Sequence, residues 1–224
     1  MIDIIDAKKD FSAGDFVQRA EEIIRNSKKP LIISGGTWFY IKSLLDEEKL
    51  PKCNINPEFR KELENIDSNI LWEKLNSIDS KRASLIHPNN KDKIIRSIEL
   101  CKYLGMPISK YKRESNQKYD SYWFMPKIER EELYKRINSR VDEMIKQGLY
   151  EEWQKNNEKY GKTKIMYNTI GYKEFYEIED FNFAVEKIKQ HTRNFAKRQL
   201  TYFKSNSKIK LVNTVDDILK GINN

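Results

Sequence analysis

Apolar positions recur along most of the chain at intervals of three and four, the period of amphipathic helices, and only a few short runs cluster as strands do. Ser12 precedes Asp15 by three places, a capping-box spacing, and Phe16, Ala20, Ile23 and Ile24 follow at helical intervals. This predicts a helix from about Ala13 to Arg25. The β-branched IDIID at Ile2 to Asp6 suits a buried strand end, Pro30 to Ile33 reads as a strand, and Trp38 to Leu45 as a helix. Strand, helix, strand, helix in that order suggests a parallel sheet with crossovers.

The pattern breaks at Pro51 to Pro57. Beyond it, Pro57 to Asn65, Ile70 to Asn76 and Lys91 to Leu104 look helical, with Gly105 and Pro107 ending the last. No strand signal intervenes before about Asp120, which suits a helical insertion. Next come a β-favouring SYWFM at Ser121 to Met125, then a helix from about Arg130 to Gln147 stopped by Gly148. A helix from Phe183 to about Phe203, a strand over KIKLVN (Lys208 to Asn213) and a short helix over VDDILKGI close the chain. The expected organisation is a core in two parts, 1–52 and 121–224, around an insertion at 53–120. There are no repeats and no low-complexity linker.

Composition narrows the class. The chain has 224 residues, 38% hydrophobic and 34% charged, with a mean hydropathy of −0.80. No apolar run approaches the roughly 18–20 residues of a membrane span, and the first residues lack a signal-peptide pattern, so a cytoplasmic protein is expected. Cys53 and Cys101 lack metal-ligand or disulfide spacing, and with only two histidines no zinc site is expected. Lys and Arg outnumber Asp and Glu by 42 to 34, a net +8. The excess is uneven: residues 181–210 hold eight Lys or Arg and a single acid, Glu186. An uneven positive charge fits a polyanionic partner.

Four stretches are candidates for chemistry. LIISGGTWFY (Leu31 to Tyr40) turns from an apolar run on glycines into a helix, which is either a phosphate cradle or a tight turn in an α/β core. On the helix 183–203, Val185, Ile188, Phe195, Ala196 and Phe203 form one apolar face. Lys189, Arg193, Lys197 and Lys204 line its flank, with His191, Asn194, Arg198 and Thr201 on the far side. That face is either merely solvated or made for phosphates, to which the guanidinium forks of Arg193 and Arg198 are suited. In IHPNNKDKIIRSIEL (Ile86 to Leu100), Asn89 or Asn90 is the N-cap, and Lys91, Lys93 and Arg96 stand in the first turns. His87 reads as a structural hydrogen-bonder, having no evident carboxylate or thiol partner. In LYKRINSRVDEMI (Leu133 to Ile145), Arg136 and Arg140 are one turn apart. They either clamp a diphosphate or pair with Glu132 or Glu143.

Together these stretches resemble the tRNA dimethylallyltransferases, also called tRNA isopentenyltransferases. The matching segments are IDIID..KDFSAGDF, GGTWFYIKSLL, P.FR (Pro57 to Arg60), IHPNNKDKIIRSIEL, LYKRINSRVDEMIKQGL, TIGYKEF (Thr169 to Phe175) and IKQHTRNFAKRQLTYFK (Ile188 to Lys204). They run nearly end to end in the family's order. The resemblance implies transfer of a dimethylallyl group from its diphosphate to the exocyclic amine of the adenosine just 3′ of the anticodon, assisted by Mg2+. It implies a P-loop-NTPase-like α/β fold with a parallel sheet and a helical insertion domain, a monomer with no membrane contact, and the tRNA anticodon stem-loop as partner. By motif match, tRNA contacts fall on Thr37, Arg60, Asp92, Lys93, Arg96, Asn168, Gly171, Tyr172, Lys173, Lys197, Arg198, Gln199, Thr201 and Lys204. Arg136 or Arg140 is matched to the diphosphate.

The sequence also departs from the family pattern. Members open with a strand, a GxxxxGK[ST] loop and a DSxQ-like segment carrying the general base; these 224 residues contain no GxxxxGK[ST]. The expectation is an N-terminally truncated member lacking the first strand, phosphate loop and base, and inactive by itself. A non-catalytic tRNA-binding remnant is the alternative, and an unrelated P-loop kinase is disfavoured by the same missing loop.

Overall fold

The computed structural model describes residues 1, 4–9, 11–45, 56–111 and 119–223. The chain divides into two compact units, Met1–Leu45 with Tyr119–Asn224, and Asp46–Lys118. In chain order the first unit opens with α1 (Ala13–Asn26) and α2 (Trp38–Leu45). The second unit holds α3 (Pro57–Glu64), α4 (Ser68–Ile78), α5 (Ser80–Ala83) and α6 (Lys91–Leu104). The first unit resumes with β1 (Trp123–Pro126), α7 (Arg130–Lys146), α8 (Leu149–Tyr160), α9 (Lys164–Asn168) and α10 (Lys173–Glu177). It closes with α11 (Phe181–Lys204), β2 (Ile209–Val212) and α12 (Val215–Asn223).

Local chemistry accounts for several boundaries. At the start of α1 both halves of the capping box form: Ser12 Oγ accepts the Asp15 N–H at 3.2 Å, and Asp15 Oδ2 accepts the Ser12 N–H at 2.8 Å. Asn90 caps α6, and Gly105 ends it at φ 64°, a left-handed conformation that glycine adopts without Cβ strain. Gly148, at φ 94°, separates α7 from α8. Strands β1 and β2 pair in parallel, Trp123 opposite Ile209 through to Pro126 opposite Val212. A parallel pair requires a long crossover, and here five helices, α7 to α11, supply it.

The first unit's core is a helix-on-helix layer of Val141, Leu149, Phe175, Ala184 and Ile188. Tyr150, Trp153, Phe175 and Phe181 extend it as a set of edge-on and stacked rings. The second unit packs Leu63, Leu71, Leu75, Ile94, Ile95 and Ile98 into a separate core. Trp72 Nε1 donates to the carbonyls of Ala83 and Ile86, at 3.2 and 2.9 Å, and so ties α4 to the end of α5.

Three expectations are corrected. Pro30 to Ile33 is not a strand: its backbone makes no ladder, and Ile32 is 95% exposed. A strand needs a neighbour for its N–H and C=O groups, and among the described residues none runs alongside. The IDIID segment is likewise not a strand over Ile4 to Asp6, while Ile2 and Asp3 lie outside the described residues. The parallel sheet therefore consists of β1 and β2 alone among the described residues, in a mostly helical fold. Finally, Phe195 is 40% exposed rather than part of the apolar face, and Ala184 with Ile188 is what α11 buries.

Candidate functional site

Helix α11 organises the first unit's candidate residues. Toward its C-terminal end, Gln199 Nε2 donates to the carbonyl of Gly36 at 2.8 Å, joining the KRQ segment to the Gly35–Thr37 turn. One turn further, Phe203 meets Trp38 edge-on with centroids 5.4 Å apart, and Trp38 in turn packs on Trp123 of β1 at 5.3 Å. Thr37 is exposed, and its hydroxyl has no partner among the described residues. Lys197, Arg198, Thr201 and Lys204 are exposed on the same end of the helix. Arg198 lies 5.7 Å from the centroid of the Phe195 ring, a cation over an aromatic face, and the Thr201 hydroxyl is returned to the Lys197 carbonyl at 3.0 Å.

The other cations of the predicted flank hold the fold. Lys189 Nζ lies 2.7 Å from Asp142 and 2.8 Å from Glu186, and hydrogen bonding to Asp142 and then Glu186 raises its pKa. Arg193 Nη1 donates to Asn138 Oδ1 at 2.6 Å. Both contacts bind α11 to α7 and leave the phosphate-suited chemistry to the helix end. His191 does not sit on a free far side either. Its Nδ1 is 2.5 Å from Oε1 of Glu174, a carboxylate with no exposed surface.

That buried carboxylate organises the second cluster. Glu174 Oε2 accepts the Gly171 N–H at 2.8 Å, and Gly171 has φ 97°, the left-handed region that a side chain disfavours. The Gly171–Lys173 turn is thus held from inside by a residue that motif matching had not singled out. Its signal was available: a carboxylate three residues after a glycine can reach back to that glycine's amide. Tyr172 is also committed, donating to Glu152 Oε1 at 2.5 Å and accepting from Asn156 Nδ2 at 2.8 Å. Burial, together with the bond to Glu152, pushes its phenol up to about 12. Asn168 Nδ2 donates to the Lys164 carbonyl at 2.8 Å, and Lys173 pairs with Glu177 at 3.7 Å. His191 and Gln199 are eight residues apart, about 12 Å along the helix axis. One helix therefore pins both the Gly35–Thr37 turn and the Gly171–Lys173 turn.

On α7, Arg136 takes the pairing alternative, with Nε 2.6 Å from Glu132 Oε1. Arg140 is exposed and unpaired among the described residues. An exposed pair one turn apart on a helix is worth only about 0.3–0.5 kcal/mol, so an anion can displace Glu132 at little cost. A Gly-Lys-Thr run does occur, at Gly161 to Thr163, but residue 156 is Asn where GxxxxGK[ST] needs Gly. The run joins two helices rather than following a strand, and Lys162 Nζ lies 4.1 Å from the Tyr167 ring centroid. It is a helix junction with its lysine engaged, not a phosphate loop.

In the second unit, Arg60 and Arg96 converge on Glu99, each with Nη1 3.3 Å from it, and Glu99 is 4% exposed. Arg60 also meets Glu64 at 3.1 Å and Asp92 at 3.8 Å. Lys93 is exposed. His87 accepts the Asn89 N–H at 3.2 Å, the structural role read from its context. Cys101 is buried, which raises its thiol pKa, and Cys53 lies outside the described residues. Among the described residues no three His, Cys, Asp or Glu side chains gather to hold a metal, and no helix is long and apolar enough to cross a membrane.

A sequence model of the IPP transferase family matches residues 1–206. The chain belongs to this family. Relatives named tRNA dimethylallyltransferase include one from Staphylococcus epidermidis, 38% identical over 95% of this chain and 69% of its own length. Another, from Thermoanaerobacter sp., is 39% identical over 94% of this chain and 72% of its own. Among solved structures, the tRNA isopentenylpyrophosphate transferase of S. epidermidis superposes with a TM-score of 0.65 at 35% identity, covering 99% of this chain and 79% of that one. The corresponding Bacillus halodurans structure gives 0.60 at 31% identity, covering 94% of this chain and 70% of that one. A eukaryotic dimethylallyltransferase acting on tRNA gives 0.78 at 23% identity over 93% of this chain and 58% of that one, a likeness of fold. This IPP transferase chain thus shares an α/β fold with its neighbours.

Proposed function

We propose that this chain binds the tRNA anticodon stem-loop and holds the adenosine just 3′ of the anticodon for dimethylallyl transfer. In that reaction a bond forms between the exocyclic nitrogen and the allylic carbon. The carbon–oxygen bond to diphosphate breaks, diphosphate leaves, and the amine gives up a proton. The base must be unstacked to be reached. The observation that carries the reading is the meeting of the exposed Thr37 turn with the cationic end of α11 through Gln199 and Gly36. Lys197, Arg198 and Lys204 would neutralise backbone phosphates, and Thr37 and the Gly171–Lys173 turn would contact the nucleotide and its neighbours. Arg60, Asp92, Lys93 and Arg96 form the stem contact of the second unit. Arg136 and Arg140 would take the diphosphate, with Mg2+ carried by the diphosphate oxygens and no residue of this chain assigned to it. The setting is cytoplasmic and the chain acts as a monomer. We extend the proposal to negligible transfer by these 224 residues alone, because no phosphate loop of GxxxxGK[ST] type stands among them.

The test is a titration of a fluorescent anticodon stem-loop across about 50–200 mM salt, where each neutralised phosphate steepens the dependence. Lys197→Ala and Arg198→Ala should each reduce the log–log slope by about 1. Salt-independent binding would sink the reading. Adding dimethylallyl diphosphate and assaying prenylation tests the second part, which detectable product from the chain alone would overturn. Binding indifferent to dimethylallyl diphosphate would favour a tRNA-binding protein without catalysis.

A further inference from the structure

Gln199 belongs to the segment matched to tRNA contact, yet its amide is already in use. Nε2 donates to the Gly36 carbonyl at 2.8 Å, across 163 residues of sequence. The fit is close enough to dictate the residue opposite: a Cβ built on Gly36 would lie 1.9 Å from Gln199 Nε2 and 2.9 Å from its Cδ. Neither Gly35 nor Gly36 has a positive φ, so conformational freedom is not the reason for glycine at 36. Space for the glutamine amide is. One helical turn on, Phe203 packs edge-on against Trp38, so α11 grips the residues on both sides of Thr37. The Thr37 side chain is what this grip leaves facing solvent.

We propose that Gln199 is a positioning residue: it contacts no RNA but fixes the Gly36–Thr37 turn against α11, so that Thr37 stands in register with Lys197, Arg198 and Thr201. The proposal rests on the reading of that surface as the tRNA site. Gly36→Ala acts on the same bond, because its methyl must push the flexible Gln199 side chain aside. Gln199→Glu keeps the size of the side chain and removes the donor, and it should behave like Gln199→Ala or worse.

The experiment uses the full chain with Gly36→Ala, Gln199→Ala, Thr37→Val and the two double variants. Stem-loop affinity is measured at one salt concentration, beside thermal melting. Loss of one hydrogen bond corresponds to about a five-fold loss of affinity. Gly36→Ala and Gln199→Ala are each expected to show about that loss, and the double variant no more than either alone. Thr37→Val should weaken binding in the wild-type background and leave it unchanged beside Gln199→Ala. Multiplying effects in both pairs would make Gln199 an independent RNA contact and overturn the proposal. If the unsubstituted chain fails to bind the stem-loop, the tRNA reading falls. The melting cycle of Gly36→Ala with Gln199→Ala then decides the positioning alone, additive shifts refuting it.

Discussion

Replacing Glu174 by alanine tests whether the buried carboxylate holds the IGYKE turn together. Its side chain is fully buried, accepting the Gly171 N–H at 2.8 Å through one oxygen and meeting His191 Nδ1 at 2.5 Å through the other. Truncation strands a buried backbone donor, at about 1–3 kcal/mol. It also opens a space beside the helical core, adding roughly 1–2 kcal/mol of lost contact. The expected destabilisation is about 2–5 kcal/mol, or roughly 4–20 °C in melting temperature for a chain of this size. Glu174→Gln keeps a carbonyl oxygen for Gly171 and should cost about 1 kcal/mol or less. Tryptophan fluorescence during denaturant unfolding is the assay, because Trp153 packs on Phe175 with ring centroids 5.5 Å apart, next to the substituted residue. A Glu174→Ala variant within about 0.5 kcal/mol of the parent would refute the role. Equal losses from Ala and Gln would show that charge, not the bond to Gly171, is what matters.

In the second unit, burial pushes the Asp79 carboxyl up, but hydrogen bonds from the Ser109 side chain and from the Ser109 and Arg82 N–H groups, with the Arg82 charge, more than offset it, and the net pKa lies below the ordinary carboxylate value. A folded pKa depressed in this way adds stability above the unfolded value and loses it as pH falls through the folded one, so acid destabilisation should set in below about pH 4. Trp72 is the tryptophan within Asp46–Lys118, and its fluorescence should show a shallower acid limb in Asp79→Asn; identical limbs would remove Asp79 from the account. Glu99→Ala leaves Arg60 with Glu64 and Asp92 but takes the one carboxylate paired with Arg96 among the described residues, and should lower stability by about 1–3 kcal/mol in circular-dichroism melts. A loss under about 0.5 kcal/mol would mean that the two guanidinium groups are held by solvent as well as by Glu99.

Elements whose signals are local were legible in the chain. The Ser12–Asp15 capping box, the Asn90 and Gly105 ends of α6, and the β-branched and aromatic runs of β1 and β2 each carry their own boundary chemistry. Helices α8, α9 and α10 were not foreseen. The latter two are five residues each, too short for periodicity, and between Leu149 and Tyr160 the apolar positions of α8 are only the rings of Tyr150 and Trp153. Pro30 to Ile33 failed for the opposite reason: its composition favours a strand, but a strand exists only beside a partner.

The candidate site divides in the same way. Residue types and their order along the chain were sufficient to mark the GGT turn, the IGYKE turn, the cationic end of α11 and the family they belong to, because each is a short motif whose chemistry is local. Which groups remain available for a ligand was decided by tertiary structure. Lys189 and Arg193 are drawn to Asp142 and Asn138, Gln199 to Gly36, and Glu174 to Gly171 and His191. Hydrogen-bond geometry and steric exclusion act between atoms brought together by folding, and the 163-residue separation of Gln199 from Gly36 leaves no trace in either segment alone.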